Sequence, residues 1–322
     1  MTHKHSRTKT LEGRALLAAM WGNLVMGVLG VAAAILSNSS AVLLDGLFSL
    51  IGFASALLAR RIIRRVDAGP DRIRPYGYAA DEAIFSTFRA LSLLGLILFA
   101  AVSAGLRIVD FALGKPVPTV DFGPVLVYFV VISLICFSLW LVHWLTYRAT
   151  GRTSQILRLE ARAALSDGIL TIAAGIGMAA VYFLRDGVLA PIAAIGDSLV
   201  VLVLCLVIVG QYGRDLFASV GELAGVTARP AIVAKVRRSL RGAVREDGGR
   251  IIDMSVMKIG RDHFVTVYYD PLRPIAAETV DSLNLRMIRD VSAELAHAEV
   301  LVCVSRYPRR WPEHINPHGA NA

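Results

Sequence analysis

The sequence predicts a six-helix membrane bundle followed by a small α+β domain, and three observations carry that reading. Hydrophobic residues make up 55% of the 322, and the mean hydropathy of +0.58 is too apolar for a soluble domain of ordinary charge content. Apolar stretches of about 20 residues, the length that crosses ~30 Å of hydrocarbon, recur along the first two thirds of the chain. Beyond them the composition turns polar, and the hydrophobic period alternates between that of a helix and that of a strand.

The spans fall at roughly 15–36, 40–59, 84–109, 122–146, 163–184 and 190–211. The first follows a basic leader at 1–14, "MTHKHSRTKTLEGR", and runs past signal-peptide length without a small-residue cleavage pattern, so a retained helix is expected. Basic residues set the orientation, because short cytoplasmic loops collect them. Lys4, Arg7, Lys9 and Arg14 lie in the leader, Arg60, Arg61, Arg64, Arg65, Arg72 and Arg74 between the second and third spans, and Arg148, Arg152 and Arg158 between the fourth and fifth. The opposite loops, "SNSS", "GKPVPTVD" and "LRDGVLAP", hold only Lys115 and Arg185. Both termini are therefore expected in the cytoplasm. This topology and attraction to the lipid surface account for most of the +9 net charge, which argues against a nucleic-acid partner. Cys136, Cys205 and Cys303 have no paired spacing and read as packing residues.

The membrane domain is assigned to 15–213 and a cytoplasmic domain to 214–308. Within the latter, Ile232, Val236, Leu240 and Val244 repeat every four residues and predict one helix over 229–245. "RIIDMSVMKIG" and "HFVTVYYDPL" read as strands joined at "GRD", "AAETVDSLNLRMIRDVSAELAHA" as a helix and "EVLVCVSRY" as a last strand. The order α-β-β-α-β suits a small sheet with helices on one face, as in ferredoxin-like metallochaperone domains. His263 is expected at the surface. Residues 309–322 read as a disordered tail, whose His314 and His318 either bind a metal or, as a Pro-rich terminus favours, bind nothing.

Three acids stand clear of the ends of the spans: Asp45, Asp167 and Asp197. A bare carboxylate in hydrocarbon is costly, so each needs a partner, a cavity or a function. Ser49 lies one turn beyond Asp45 on the same helix face. If the second and fifth helices pack together, Asp45, Ser49 and Asp167 converge as a hard-oxygen cation site. Alternatively, each acid bonds a neighbouring backbone or serine group and fixes packing, or Arg89 in the third helix serves as a built-in counter-ion. Asn23 in the first helix is a plausible polar neighbour.

With six helices, an α-β-β-α-β tail, "SNSSAVLLDGLFSL" and above all "DRIRPYGYAADEA", the chain resembles the cation diffusion facilitator family of divalent-metal/proton antiporters. "ARAALSD" and "GDSLVVLVLCLVI" match that family more loosely. The family pairs an acid or His with an Asp one turn later on helix two, and a His with an Asp one turn later on helix five. Here those positions hold Asp45 with Ser49 and Ala163 with Asp167. The family's "HPYGHG" loop, part of a second metal site in some members, reads "RPYGYA", with Arg74 and Tyr78 in place of His, while Asp71 and Glu82 remain.

The resemblance implies a homodimeric, inner-membrane exporter. It would move a divalent cation of the Mn, Fe, Zn and Co class out of the cytoplasm against protons, with the cation as cargo and no tightly bound cofactor. Asp45, Ser49 and Asp167 would be the ligands, and Asn23, Asp71, Glu82 and Arg89 accessory. Without an imidazole the site suits Mn²⁺, Mg²⁺ or Fe²⁺ better than Zn²⁺. The tail would serve as a constitutive dimer clamp. The rival readings are a non-transporting scaffold of the same fold that recruits a partner through its tail, and an exporter of a different cation. An enzyme is not expected, since the chain carries no nucleophile-base set, Walker loop or dinucleotide fingerprint.

Overall fold

A computed structural model describes residues 2–66, 70–75, 77–149, 155–184, 190–295 and 297–306. Six of its helices are long and apolar enough to cross a membrane: α1 (Thr2–Ser37), α2 (Ser40–Val66), α3 (Ala79–Ala112), α4 (Phe122–Ala149), α5 (Gln155–Leu184) and α6 (Gly196–Leu223). In hydrocarbon a helix is the element that satisfies its own backbone polar groups, which is why long apolar runs take this form. The helices overrun the apolar spans at several ends. The backbone of α1 is helical from Thr2, through a leader rich in helix-forming Lys, Arg, Leu and Glu, and α6 continues to Leu223 through "GRDLFASVGEL". Asp81 and Glu82 occupy the first turn of α3, where negative charge favours a helix start. A 3₁₀ turn at Ala190–Ile195 takes the place of the start expected for the sixth span.

The chain forms two packed units, residues 1–61 with 88–216 and residues 62–87 with 217–322. In the first, α4 packs on α5 and α1, and glycines set the closeness of approach. A Cβ on Gly30 of α1 would stand 2.5 Å from the Cα of Gly46 in α2, and one on Gly175 of α5 would stand 3.0 Å from the Cβ of Phe129 in α4. Small residues at such crossings bring helix backbones together where lipid supplies no hydrophobic drive. Val42, Val125, Ile132 and Met178 are fully buried in one core, and Ala41, Leu44, Ile97, Ala104 and Val201 form a second among α2, α3 and α6. Apolar side chains such as Leu98, Phe99, Val127 and Leu134 are exposed on the outer faces, as suits lipid.

In the second unit the helix expected over 229–245 is two, α7 (Pro230–Ser239) and α8 (Arg241–Asp247), broken at Leu240, whose buried side chain stays in the core. They are followed by β1 (Arg250–Ile259), β2 (Asp262–Asp270), α9 (Ala277–Glu294) and β3 (Ala298–Val304). The sheet order is β1-β2-β3, with the first pair antiparallel and the second parallel. Gly260 and Arg261 make the two-residue hairpin turn between Ile259 and Asp262, and Gly260 takes φ +58, the left-handed region such turns require. Alternation along β2 buries Val265, Val267 and Tyr269 against Val236, Leu283, Met287 and Val291 of the helices. Burial, aided by the hydrogen bond its hydroxyl donates to Asp247, pushes the Tyr269 phenol up to about 12.

His263 departs from the surface position expected for it. Both ring nitrogens are buried without a hydrogen-bond partner, because the side chain lies where β2 pairs with Lys258 of β1 and Ala298 of β3. Burial first, and the Lys258 ammonium second, hold its imidazole below the ordinary value against the opposing pull of Asp262 and Glu222. His314 and His318 lie outside the described residues.

Candidate cation site

Asp45 is half-buried on α2, one residue before the Gly46 crossing with α1. Its Oδ2 accepts a hydrogen bond of 2.7 Å from the hydroxyl of Tyr128 on α4. That hydroxyl reaches Asp45 beside the glycine crossing, since a Cβ on Gly30 would come within 2.9 Å of it. Tyr128 was not singled out by its sequence, where it is one aromatic in an apolar run. Its signal is a hydroxyl that must find a partner once buried. Ser49 donates 3.2 Å to the carbonyl of Asp45, which turns its oxygen lone pairs toward other groups. Asn23 of α1 faces the next turn of α2, where a Cβ on Gly52 would lie 3.3 Å from its Nδ2.

Asp167 is exposed on α5 beside Gly168, which packs on Cys136 of α4. Asp45, Arg89 and Glu160 all lie within electrostatic reach of Asp167, and Cys136 is within reach of both aspartates. Two carboxylates from α2 and α5 thus share one region of the bundle. Neither forms an ion pair with an arginine among the described residues. Arg89 is exposed on α3 and acts on Glu160 as well as Asp167. Glu160 lies two turns before Asp167 on the same helix face and was missed because it opens a run rich in arginine.

The third intramembrane acid stands elsewhere. Asp197 is buried in the first turn of α6, where its carboxylate accepts Ser39 Oγ at 2.5 Å, the Ser40 amide at 2.7 Å and the Ala41 amide at 3.2 Å. It caps α2 from another helix, with Arg107 of α3 at 3.7 Å. Asp71 and Glu82 belong to the second unit, and each has local partners. Asp71 accepts Tyr78 Oη at 2.6 Å, the Arg74 amide at 2.7 Å and the Ile73 amide at 2.8 Å, and these bonds, that of Tyr78 foremost, hold its carboxyl below the usual range. Glu82 pairs with Arg261 of the hairpin turn at 2.5 Å.

Among the described residues no three His, Cys, Asp or Glu side chains converge in a way that could hold a metal ion. The groups gathered around Asp45 are the Tyr128 and Ser49 hydroxyls, with the Asp167 carboxylate within electrostatic reach, all of them hard-oxygen donors. His143 of α4, seven residues beyond Cys136 and buried, leaves its Nδ1 unpartnered. Residues 16–224 match the family model for the cation efflux transmembrane domain. No curated protein matches the chain.

Proposed function

The chain belongs to the cation efflux family of transporters, the cation diffusion facilitators, and from that membership we propose that it exports a divalent cation from the cytoplasm in exchange for protons, as a homodimer. The observation that supports this reading most is that Asp45 and Asp167 stand within electrostatic reach of one another, with neither ion-paired to an arginine among the described residues. Two like charges in such a setting repel unless a cation or a proton relieves them, so loading the cation and loading protons exclude each other. That exclusion is the physical basis of antiport.

Asp45 and Asp167 are the principal ligands, Tyr128 fixes the orientation of Asp45, and Ser49 contributes an oxygen or holds a bound water. Hard oxygens without imidazole or thiolate favour Mn²⁺, Fe²⁺ or Mg²⁺ over Zn²⁺. The bias of basic residues toward one set of loops supports cytoplasmic termini, and in this reading the membrane is an inner membrane and the tail joins the two protomers.

The test is uptake into proteoliposomes of the purified protein under an imposed pH gradient, with Mn²⁺, Fe²⁺, Zn²⁺, Co²⁺ and Mg²⁺ offered separately. Mn²⁺ is expected to move, and Asp45→Asn or Asp167→Asn is expected to abolish its movement. If no cation moves, the reading fails. The absence of a third ligating His, Cys, Asp or Glu among the described residues favours one rival, a non-transporting scaffold, under which deletion of the tail and not Asp45→Asn removes the cellular phenotype.

A further inference from the structure

We infer that the last turns of α4 form a binding site for an anionic phospholipid: Arg148, held over the ring of Trp144, takes the lipid phosphate, and the exposed leucines before it take an acyl chain. The site binds a component of the bilayer and not the cargo, and it needs no transport to be real.

A row of rings leads to Arg148. Phe137 meets Trp140 edge to face at 6.3 Å, Trp140 stacks on Trp144 at 6.0 Å with the planes 27° apart, and Arg148 Cζ lies 4.0 Å from the Trp144 centroid. Steps of three and four residues put all four on one side of the helix. Leu141 and Leu145 lie along the same side and are exposed, a surface that only acyl chains can cover in a membrane.

Depth favours a headgroup. The 28 residues of α4 measure about 42 Å, close to the ~40–45 Å of a bilayer with its headgroups and longer than its ~30 Å of hydrocarbon. Centred, the helix carries about 6 Å into each headgroup layer. Trp144 then stands near the hydrocarbon boundary, where tryptophan is favoured, and Arg148 ~6 Å further out, among the phosphates.

Charge favours an anionic lipid. Arg148 is exposed and forms no ion pair among the described residues. A guanidinium over a ring uses one face there and keeps its N–H edge for a planar pair of phosphate oxygens. Phe129 meets Gly175 and Cys136 meets Gly168, so α4 and α5 run antiparallel and the start of α5 lies beside the end of α4. That start exposes Arg158 and Arg162, while Glu160 between them is half-buried. These added cations repel the choline or ammonium of a zwitterionic lipid and favour a headgroup that is negative overall. A cation in the last turn also suits the helix dipole, but that effect asks for no ring beneath it.

The experiment uses full-length protein in which Trp21 and Trp311 are replaced by phenylalanine, so that Trp140 and Trp144 alone emit. It is reconstituted in phosphatidylcholine bilayers that contain either brominated phosphatidylglycerol or brominated phosphatidylcholine, and the ratio of quenching by the two gives the local preference for the anionic lipid. The ratio is expected to exceed one and to fall about fivefold in Arg148→Gln, the factor that one basic residue at an anionic surface supports. Arg148→Lys, which keeps the charge and loses the planar fork, should fall by a smaller factor. Arg61→Gln, an exposed arginine of α2, should leave the ratio unchanged.

A ratio of one in the parent protein, or no fall in Arg148→Gln, overturns the inference. An equal fall in Arg61→Gln also overturns it, since the attraction would then be spread over the whole basic surface. A ratio in Arg148→Lys equal to the parent's leaves a point charge only and overturns the stacked fork. Inorganic phosphate, compared with chloride at the same ionic strength, should not change the ratio; if it abolishes the preference, the site reads free phosphate and the lipid assignment fails. Quenching is read without any cation moving, so failure of the transport reading leaves this test intact.

Discussion

Replacing Gly30 with alanine probes the crossing and the site together. The added Cβ would stand 2.5 Å from Gly46 Cα and 2.9 Å from the Tyr128 hydroxyl. Carbon atoms in contact rest at about 3.5–4.0 Å, so α1 and α2 must part by roughly 1 Å at this point. Overpacking of that kind costs about 1–3 kcal/mol. The Tyr128 to Asp45 bond of 2.7 Å stretches by a similar amount if the hydroxyl gives way, beyond hydrogen-bond range, and Asp45 loses the Tyr128 hydroxyl as a donor. A bond to a charged acceptor is worth about 1.5–3 kcal/mol, so Mn²⁺ uptake should slow by roughly tenfold or more. Thermal unfolding in detergent and initial uptake rates measure the two effects separately. Gly95→Ala and Gly105→Ala in α3 are the controls, since a Cβ there meets nothing within 4 Å and alanine favours the helix. Normal stability in Gly30→Ala would refute the crossing. Lowered stability with normal uptake would refute the link from Tyr128 to Asp45.

Tyr269→Phe removes the hydroxyl that donates to Asp247 and accepts the Gly249 amide at 3.0 Å, and should destabilise the second unit by about 1–3 kcal/mol in full-length protein, read by chemical denaturation. For His263 the folded-state value lies below the ordinary 6.5, so the unfolded chain binds the extra proton. Stability from this residue is fully present above pH 6.5 and falls as the pH drops below it, and His263→Gln should flatten that part of a melting-temperature profile. An unchanged slope in the variant would assign the acid sensitivity to other groups.

Long-range pairing marks the limit of what the residues themselves disclose. The helices α1 to α6 are legible because apolar length is a local property, and β2 is legible because Val265, Val267 and Tyr269 alternate. The break at Leu240 is not, since Leu240 keeps the spacing of a continuous helix while its neighbours divide into α7 and α8. That Asp167 of α5 stands within electrostatic reach of Asp45 of α2 is a property of neither segment alone. Tyr128 is 83 residues from Asp45, and Asp197 is 157 residues from Ser40. No spacing rule spans such separations. Asp197 reads as an intramembrane acid because the apolar run begins near 190, yet the helix starts at Gly196 and puts its carboxylate in the first turn.

Gly30 and Gly46 meet backbone to backbone, without side chains interleaved between them. Such a contact is a fulcrum, and Asp45 is the residue next to it. A tilt of α2 by about 10° about Gly46 would sweep Ser40, ~9 Å along the axis, through ~1.6 Å, while Asp45, ~1.5 Å along, shifts by ~0.3 Å. The far end of the lever swings enough to part hydrogen bonds, and the helix axis at Asp45 barely travels.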